Sequence, residues 1–284
     1  MTASARLDLC VLVLRLPAQE LGNALAELGP LELAATDEDG RAPICIELWD
    51  VHDGRVRVAG IEQERLYEGG AMLLGSVYGA LLGPLGSMSG ALLGKQIGGF
   101  VSGAASQALG RYRELLIGIP EVRLRGGSPC YFVAGMRADS PFAIGMDRLL
   151  GYGFGKRAAI FGGSLTSGLT IRDPQQVELM SARIEPVDGE HRAPSGVDFT
   201  HVKAWLARPL LAGADQRLVR STLSRAYAPG EAAVAERAVL AIGGALHPWL
   251  GATEHVAAAF RVPSVAVELS EPAVVPFSER HRHA

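Results

Sequence analysis

The chain has 284 residues, a formal net charge of −3 and a pI near 6.2, so it lacks the basic surface that nucleic-acid binding requires. This length is enough to bury a substantial core. The three cysteines, an odd number, lie among apolar neighbours, and the first twenty residues carry charges where a signal peptide has an apolar centre. We therefore expect a reduced, cytoplasmic protein without a nucleic-acid partner.

The first 59 residues predict a strand, a helix and a β-hairpin. Residues 7–15 combine alternation at their start with strand-forming residue types and predict a strand, and in residues 17–28 leucine and alanine recur at helical spacing. Residues 43–51 are rich in strand-forming types, and His52-Asp53-Gly54 is typical of a turn into a second strand at 55–59.

A glycine-rich segment at residues 69–110 differs in composition from everything around it, because Lys95 is its only charged residue. Its glycines recur every four residues, the spacing with which small residues let helices pack closely. The segment predicts a helical hairpin. Its first arm, residues 71–83, would be about 20 Å long, shorter than the ~30 Å hydrocarbon core, so contact with a membrane surface and contact with another subunit both remain open.

The rest of the chain predicts many short strands and few helices. The strand predictions rest on alternation and turn residues, and cover residues 112–119, 122–125, 130–137, 164–171, 177–184 and 262–275. The helix predictions rest on capping residues or composition, and cover residues 141–150, 231–242 and 253–260.

No linker divides the chain, so we expect one domain over residues 1–284 that carries the segment 69–110 as an insertion. The pattern of short strands predicts a mainly β (α+β) fold. Its expected form is an antiparallel β-barrel or folded sheet with flanking helices.

Three alternating glycines, Gly151, Gly153 and Gly155, suggest a nucleotide-binding loop at first sight. The dinucleotide fingerprint, however, requires a strand before the glycines and a helix after them, and here the predicted order is reversed. The histidines and cysteines also lack the spacing of a metal site. We therefore expect neither a cofactor nor a metal.

Lys156, directly after those glycines, is the candidate catalytic residue. Almost all basic residues of the chain are arginines, which keep their proton, whereas a lysine can lose it. Apolar neighbours on both sides and the adjacent Arg157 favour the neutral, nucleophilic form of an amine. Glu47 and Glu114 are carboxylates in the middle of predicted strands, where they face either a pocket or solvent. A surface lysine that opens a strand is the simpler interpretation of the same pattern.

Five segments, in the same order, make the chain resemble the acetoacetate decarboxylase superfamily over most of its first 160 residues. These segments are Val11-Leu-Val-Leu-Arg15 with Leu28-Gly-Pro-Leu-Glu-Leu33, Ile46-Glu47 with His52-Asp53, Tyr112-Arg-Glu114 with Ile119-Pro120, Asp139-Ser-Pro-x-Ala143-x-Gly145, and Lys156-Arg157.

The resemblance implies that Lys156 forms a Schiff base with a keto acid. It also implies that Glu114 and Glu47 line the pocket as acid/base or positioning groups, and that Arg157 raises the local positive potential. The chain departs from the family in having Gly155 where the family has proline, and an arginine as the second residue of the lysine pair.

From the resemblance we expect a cofactor-independent carbon–carbon lyase that decarboxylates a β-keto acid similar to acetoacetate. An aldolase or dehydratase using the same lysine is one alternative, and a non-catalytic barrel that binds an apolar ligand or a membrane surface is another. Members of the family tend to be oligomeric, so a homo-oligomer is expected, with residues 69–110 as a possible contact to a membrane or a subunit.

Overall fold

A mixed β-sheet and three helices make up the described part of the protein. A computed structural model describes residues 2–58, 61–62, 111–150, 152–186, 197–214, 217–227, 234–250 and 256–275. The helical hairpin predicted at 69–110 lies outside these residues, and the single-domain organisation stays a prediction.

The described strands and helices follow the chain as β1 (Thr2–Pro17), α1 (Ala18–Leu28), β2 (Leu31–Leu33), β3 (Arg41–Val58), β4 (Ile61–Glu62), β5 (Tyr112–Leu124), β6 (Cys130–Ala138), α2 (Pro141–Leu150), β7 (Arg157–Ala158), β8 (Ile160–Ser164), β9 (Gly168–Arg172), β10 (Glu178–Pro186), α3 (Phe199–Leu206), β11 (Leu210–Ala214), β12 (Arg217–Ser221), β13 (Leu223–Ala226), β14 (Val234–Ile242), β15 (Val256–Leu269) and β16 (Ala273–Val275). No helix in these described ranges is long and apolar enough to span a bilayer.

The strands join one sheet whose main path runs β16-β12-β11-β6-β5-β3-β1-β15-β14-β10-β9-β8. Within the described residues this path ends at β16 and at β8, which do not pair with each other, so the sheet does not close into a barrel. The prediction of a mainly β folded sheet with flanking helices is confirmed. The sheet is not wholly antiparallel, because β6 runs parallel to both β11 and β7.

A long antiparallel ribbon of β1 and β3 forms the centre of the sheet, and it shows that the predicted hairpin at residues 43–59 is wrong. β3 continues through His52 and pairs with β1 from Pro17 back to Thr2. Arg6 is paired with Asp53 and Leu7 with Val51, so His52 is an extra residue in a β-bulge. The residues typical of a turn therefore lie in a bulge within one strand, because β1 pairs with β3 on both sides of this bulge.

Two predicted helices are also strands in the structure. Residues 234–242 form β14 and residues 256–260 begin β15, although their alanine content favours a helix. Ala258, Ala259 and Phe260 pair with residues of β1, so strand pairing overrides the local propensity. Residues 112–119 and 122–125, predicted as separate strands, form one strand, β5, which is irregular around Pro120.

Both faces of the central sheet are covered. Leu12 and Leu14 of β1 belong to one apolar cluster, while Val11 and Val13 belong to the other, and all four are fully buried. This explains why the second half of β1 is a continuous apolar run and not an alternating one. The cluster that contains Val11 and Val13 is the one that reaches the candidate site.

Gly118 of β5 is expected to tolerate no side chain, because a Cβ there would overlap the ring of the fully buried Tyr131. Overpacking a well-packed core costs about 1–3 kcal/mol. Gly118→Ala should therefore lower the free energy of unfolding, measured by urea denaturation, by that amount.

The matched control is Gly22→Ala in α1, where a Cβ has no neighbour within 4 Å. There alanine should stabilise the protein by up to about 1 kcal/mol because it favours the helix. Equal effects of the two substitutions would contradict the packing described for Tyr131.

Candidate functional site

Asp147 of α2 stabilises the turn that carries Lys156 by accepting hydrogen bonds from its backbone. Asp147 is only 5% exposed. Its two carboxylate oxygens accept hydrogen bonds from the backbone N–H groups of Phe154 at 3.4 Å and Lys156 at 3.2 Å. Gly153 and Gly155 have φ angles of +69° and +61°, in the left-handed region that glycine adopts most readily. Proline, with φ fixed near −65°, does not fit the conformation of Gly155.

Lys156 and Glu114 form the centre of the site. The Lys156 Nζ atom donates to Glu114 Oε1 at 2.5 Å, and the two side chains are only 11% and 2% exposed. Strand register brings the two side chains together. Glu114 of β5 lies opposite Ala138 of β6, and Ala138 also pairs with Ala158 of β7, two residues after Lys156. The two groups are therefore within range of a charge-assisted hydrogen bond.

A cavity of about 100 Å³ opens onto this pair. Its walls are largely apolar and include Leu116, Met136, Leu223, Val267 and Leu269. Among the described residues, its basic groups are Lys156 and Arg55, and the Arg55 side chain is 60% exposed and bonded to Asp53. The arrangement suits a nucleophilic amine in a pocket with little water.

Tyr152 adds a polar group that the sequence did not single out. Its ring stacks on Phe154 with centroids 5.4 Å apart, and Tyr152 is one of the residues that line the cavity. Its hydroxyl oxygen is buried and has no hydrogen-bond partner among the described residues. Burial, with the negative charges of Glu271 and Asp147, raises the pKa of Tyr152 to about 12. The hydroxyl therefore stays protonated at neutral pH.

Asp147 and Tyr152 were both missed by sequence reasoning. An acidic residue in the last turns of a helix opposes the usual dipole preference, and Asp147, four residues before Gly151, was such a signal. For Tyr152 the sequence offered nothing, since only the fold places this residue at the cavity.

Glu47 lies behind the cavity wall and not on it. It is fully buried, and its Oε2 atom accepts bonds from Arg225 at 2.8 Å and from the Trp49 indole at 3.1 Å. The Arg225 side chain is 3% exposed and also donates to the carbonyl of Leu206. Trp49 lines the cavity, whereas Glu47 and Arg225 do not.

Arg157 faces away from the Lys156 cavity. It is exposed and lines a second, larger cavity together with Arg137 and His247. The structure thus brings Lys156 and Glu114 together, places Glu47 one residue layer behind them, and separates Arg157 from all three. In the described part of the chain, no three His, Cys, Asp or Glu side chains lie close enough together to hold one metal ion.

Comparison with known proteins gives structural likenesses only: no protein-family profile and no curated protein sequence matches this chain. Acetoacetate decarboxylase from Legionella pneumophila superposes with a TM-score of 0.58 at 13% identity, over 97% of this chain and 87% of that chain. The enduracididine biosynthesis enzyme MppR gives a TM-score of 0.54 at 13% identity, with coverage of 97% and 88%.

An acetoacetate decarboxylase-like enzyme from Sphingomonas wittichii RW1 gives a TM-score of 0.53 at 11% identity, over 98% of this chain and 94% of that chain. All three likenesses therefore span nearly the whole of both chains. At this level of identity they establish the architecture, and the chain has the fold of the acetoacetate decarboxylase superfamily.

Proposed function

We propose that the protein is a Schiff-base lyase that decarboxylates a small β-keto acid through Lys156, without a cofactor. The observation that carries the proposal is the 2.5 Å hydrogen bond between Lys156 and Glu114 at the wall of an apolar cavity. The fold shared with acetoacetate decarboxylase supports it.

Glu114 is the group that prepares the amine. An ammonium ion does not attack a carbonyl, so one proton must leave Lys156 first. Transfer of a proton along this hydrogen bond yields a neutral amine and a neutral carboxylic acid. Glu114 then holds the proton needed when the hydroxyl of the carbinolamine leaves as water.

The iminium ion that results withdraws electrons from the neighbouring carbon–carbon bond. When that bond breaks, carbon dioxide leaves, and the electron pair of the broken bond forms the carbon–carbon double bond of an enamine. Protonation of the enamine carbon then gives the iminium ion of the ketone product. Water then releases the ketone and regenerates Lys156. The apolar walls favour the step because they solvate the departing carboxylate poorly.

The cavity volume of about 100 Å³ limits the substrate to a small acid. In the proposal, the unpartnered hydroxyl of Tyr152 donates to the substrate's carboxylate or keto oxygen. Glu47 and Arg225 hold Trp49 in place as positioning residues, because neither lines the cavity.

A condensation or dehydration on a keto acid is the second candidate, with the same lysine. It is favoured by the likeness to MppR, which has been solved with pyruvate and with the condensation product of pyruvate and imidazole 4-carboxaldehyde. Both reactions begin with the same iminium ion, and they differ in whether carbon dioxide is released.

Borohydride trapping tests the proposal directly. The protein incubated with acetoacetate or pyruvate and sodium borohydride should gain a reduced adduct on Lys156, located by peptide mass spectrometry. Lys156→Arg should abolish the adduct because arginine keeps its charge but offers no nucleophilic amine.

Lys203→Arg is the matched control, since Lys203 is exposed on α3, and it should leave trapping unchanged. An adduct with acetoacetate accompanied by carbon dioxide supports decarboxylation. An adduct without carbon dioxide supports the second candidate, and no adduct at Lys156 overturns both.

Glu114→Gln should lower kcat for acetoacetate by about 10²–10⁴-fold, the usual contribution of a general acid–base group. Glutamine keeps a hydrogen bond to Lys156 but does not take up its proton. Steady-state kinetics measures the effect, and Glu32→Gln, in a half-exposed pair with Arg123, serves as a control expected to be neutral. A Glu114→Gln protein with full activity would contradict the proton transfer.

Tyr152→Phe should raise KM by about 10-fold or more, the loss expected for a hydrogen bond to a charged group. It should not lower the free energy of unfolding, because the hydroxyl has no partner to lose in the described structure. Because the pKa of Tyr152 is about 12, the ratio of wild-type to variant KM should be constant across neutral pH. Reduced stability with unchanged KM would assign Tyr152 a structural role only.

A further inference from the structure

A second cavity, of about 710 Å³, lies on the other side of β6 from the Lys156 cavity. Ile117 and Arg137, which line it, alternate along β5 and β6 with Leu116 and Met136, which line the smaller one. Its apolar walls are formed by Ile117, Phe132, Leu218, Leu246 and Trp249. The volume falls within the range of about 300–1,000 Å³ that is typical of small-molecule sites.

Two arginines stand side by side on this cavity. Arg137 of β6 is the pairing partner of Arg157 of β7, and both side chains line the space. The Arg137 Nη2 atom donates to the carbonyls of Ala245 at 3.2 Å and Leu246 at 3.4 Å, which ties it to the loop before β15. Arg157 has no side-chain hydrogen bond or ion pair to any residue that the structure describes.

The charge on this wall is not neutralised within the cavity. None of the described residues that line it is acidic, and Asp173, whose negative charge acts on Arg137, is not part of the lining. Burial, with a smaller effect from the positive charge of Arg157, lowers the pKa of Arg137. An anion bound between the two guanidinium groups removes this repulsion.

We infer that this cavity binds an amphipathic organic anion, whose carboxylate pairs with Arg157 and Arg137 and whose hydrocarbon body lies against Phe132, Leu246 and Trp249. Guanidinium groups present the paired donors that a carboxylate accepts. The apolar walls, including Leu28, which is half exposed, contribute through the burial of hydrocarbon surface. This site goes beyond the proposed chemistry at Lys156 and does not depend on it.

Isothermal titration calorimetry with sodium octanoate as the probe tests the site. Octanoate should bind with a stoichiometry of one, more tightly than the neutral octanamide, and more weakly as salt is added. Arg157→Gln should weaken octanoate binding about 10-fold or more and leave octanamide binding unchanged.

Two matched variants test whether the heat of octanoate binding comes from this cavity. Arg172→Gln, an exposed arginine that lines neither cavity, should bind octanoate as the wild type does. Lys156→Arg should also bind normally, since it alters the other cavity. Circular dichroism establishes that each variant is folded.

The inference is overturned if octanoate does not bind at millimolar concentration, if the folded Arg157→Gln variant binds it like the wild type, or if Lys156→Arg abolishes binding. None of these readouts involves turnover, so the result is independent of whether Lys156 catalyses a reaction.

Discussion

The hydrogen bond between Lys156 and Glu114 depends on strand register more than on any local feature. Both groups are withdrawn from water, and either of them alone at this depth would be strongly unfavourable. Their meeting requires Glu114 to lie opposite Ala138 and Ala138 to lie beside Ala158. A slip of one residue in β5 would turn the carboxylate to the other face of the sheet and leave the amine unpaired.

Two adjacent basic residues serve two cavities because of the geometry of the same strand. Lys156 ends the glycine turn and enters the small apolar cavity, whereas Arg157, the first residue of β7, faces the large one. Met136 and Phe154 line both cavities and form the wall between them. In the two proposals Lys156 is the reacting group and Arg157 is a charged group for binding, and the two side chains line different cavities.

The residues that contact Trp49, a residue of the cavity wall, come from distant parts of the sequence, as the buried pair of Glu47 and Arg225 shows. These residues are separated by 178 positions, and β13 brings the arginine to the indole of Trp49. In this chain the buried arginine next to the predicted carboxylate comes from the opposite end of the sequence.

Local pattern was enough to predict the mainly β class, α1, α2 and the strands that carry Glu47 and Glu114, because apolar periodicity and capping residues act over a few positions. Collinear motifs were enough to suggest the fold and to single out Lys156. Only the tertiary structure decided that His52 lies in a bulge, that residues 234–242 and 256–260 are strands, that Asp147 and Tyr152 belong to the site, and that Arg157 does not share the cavity of Lys156. The physical reason is that long-range strand pairing determines which face each side chain occupies, and no local pattern encodes the partner strand.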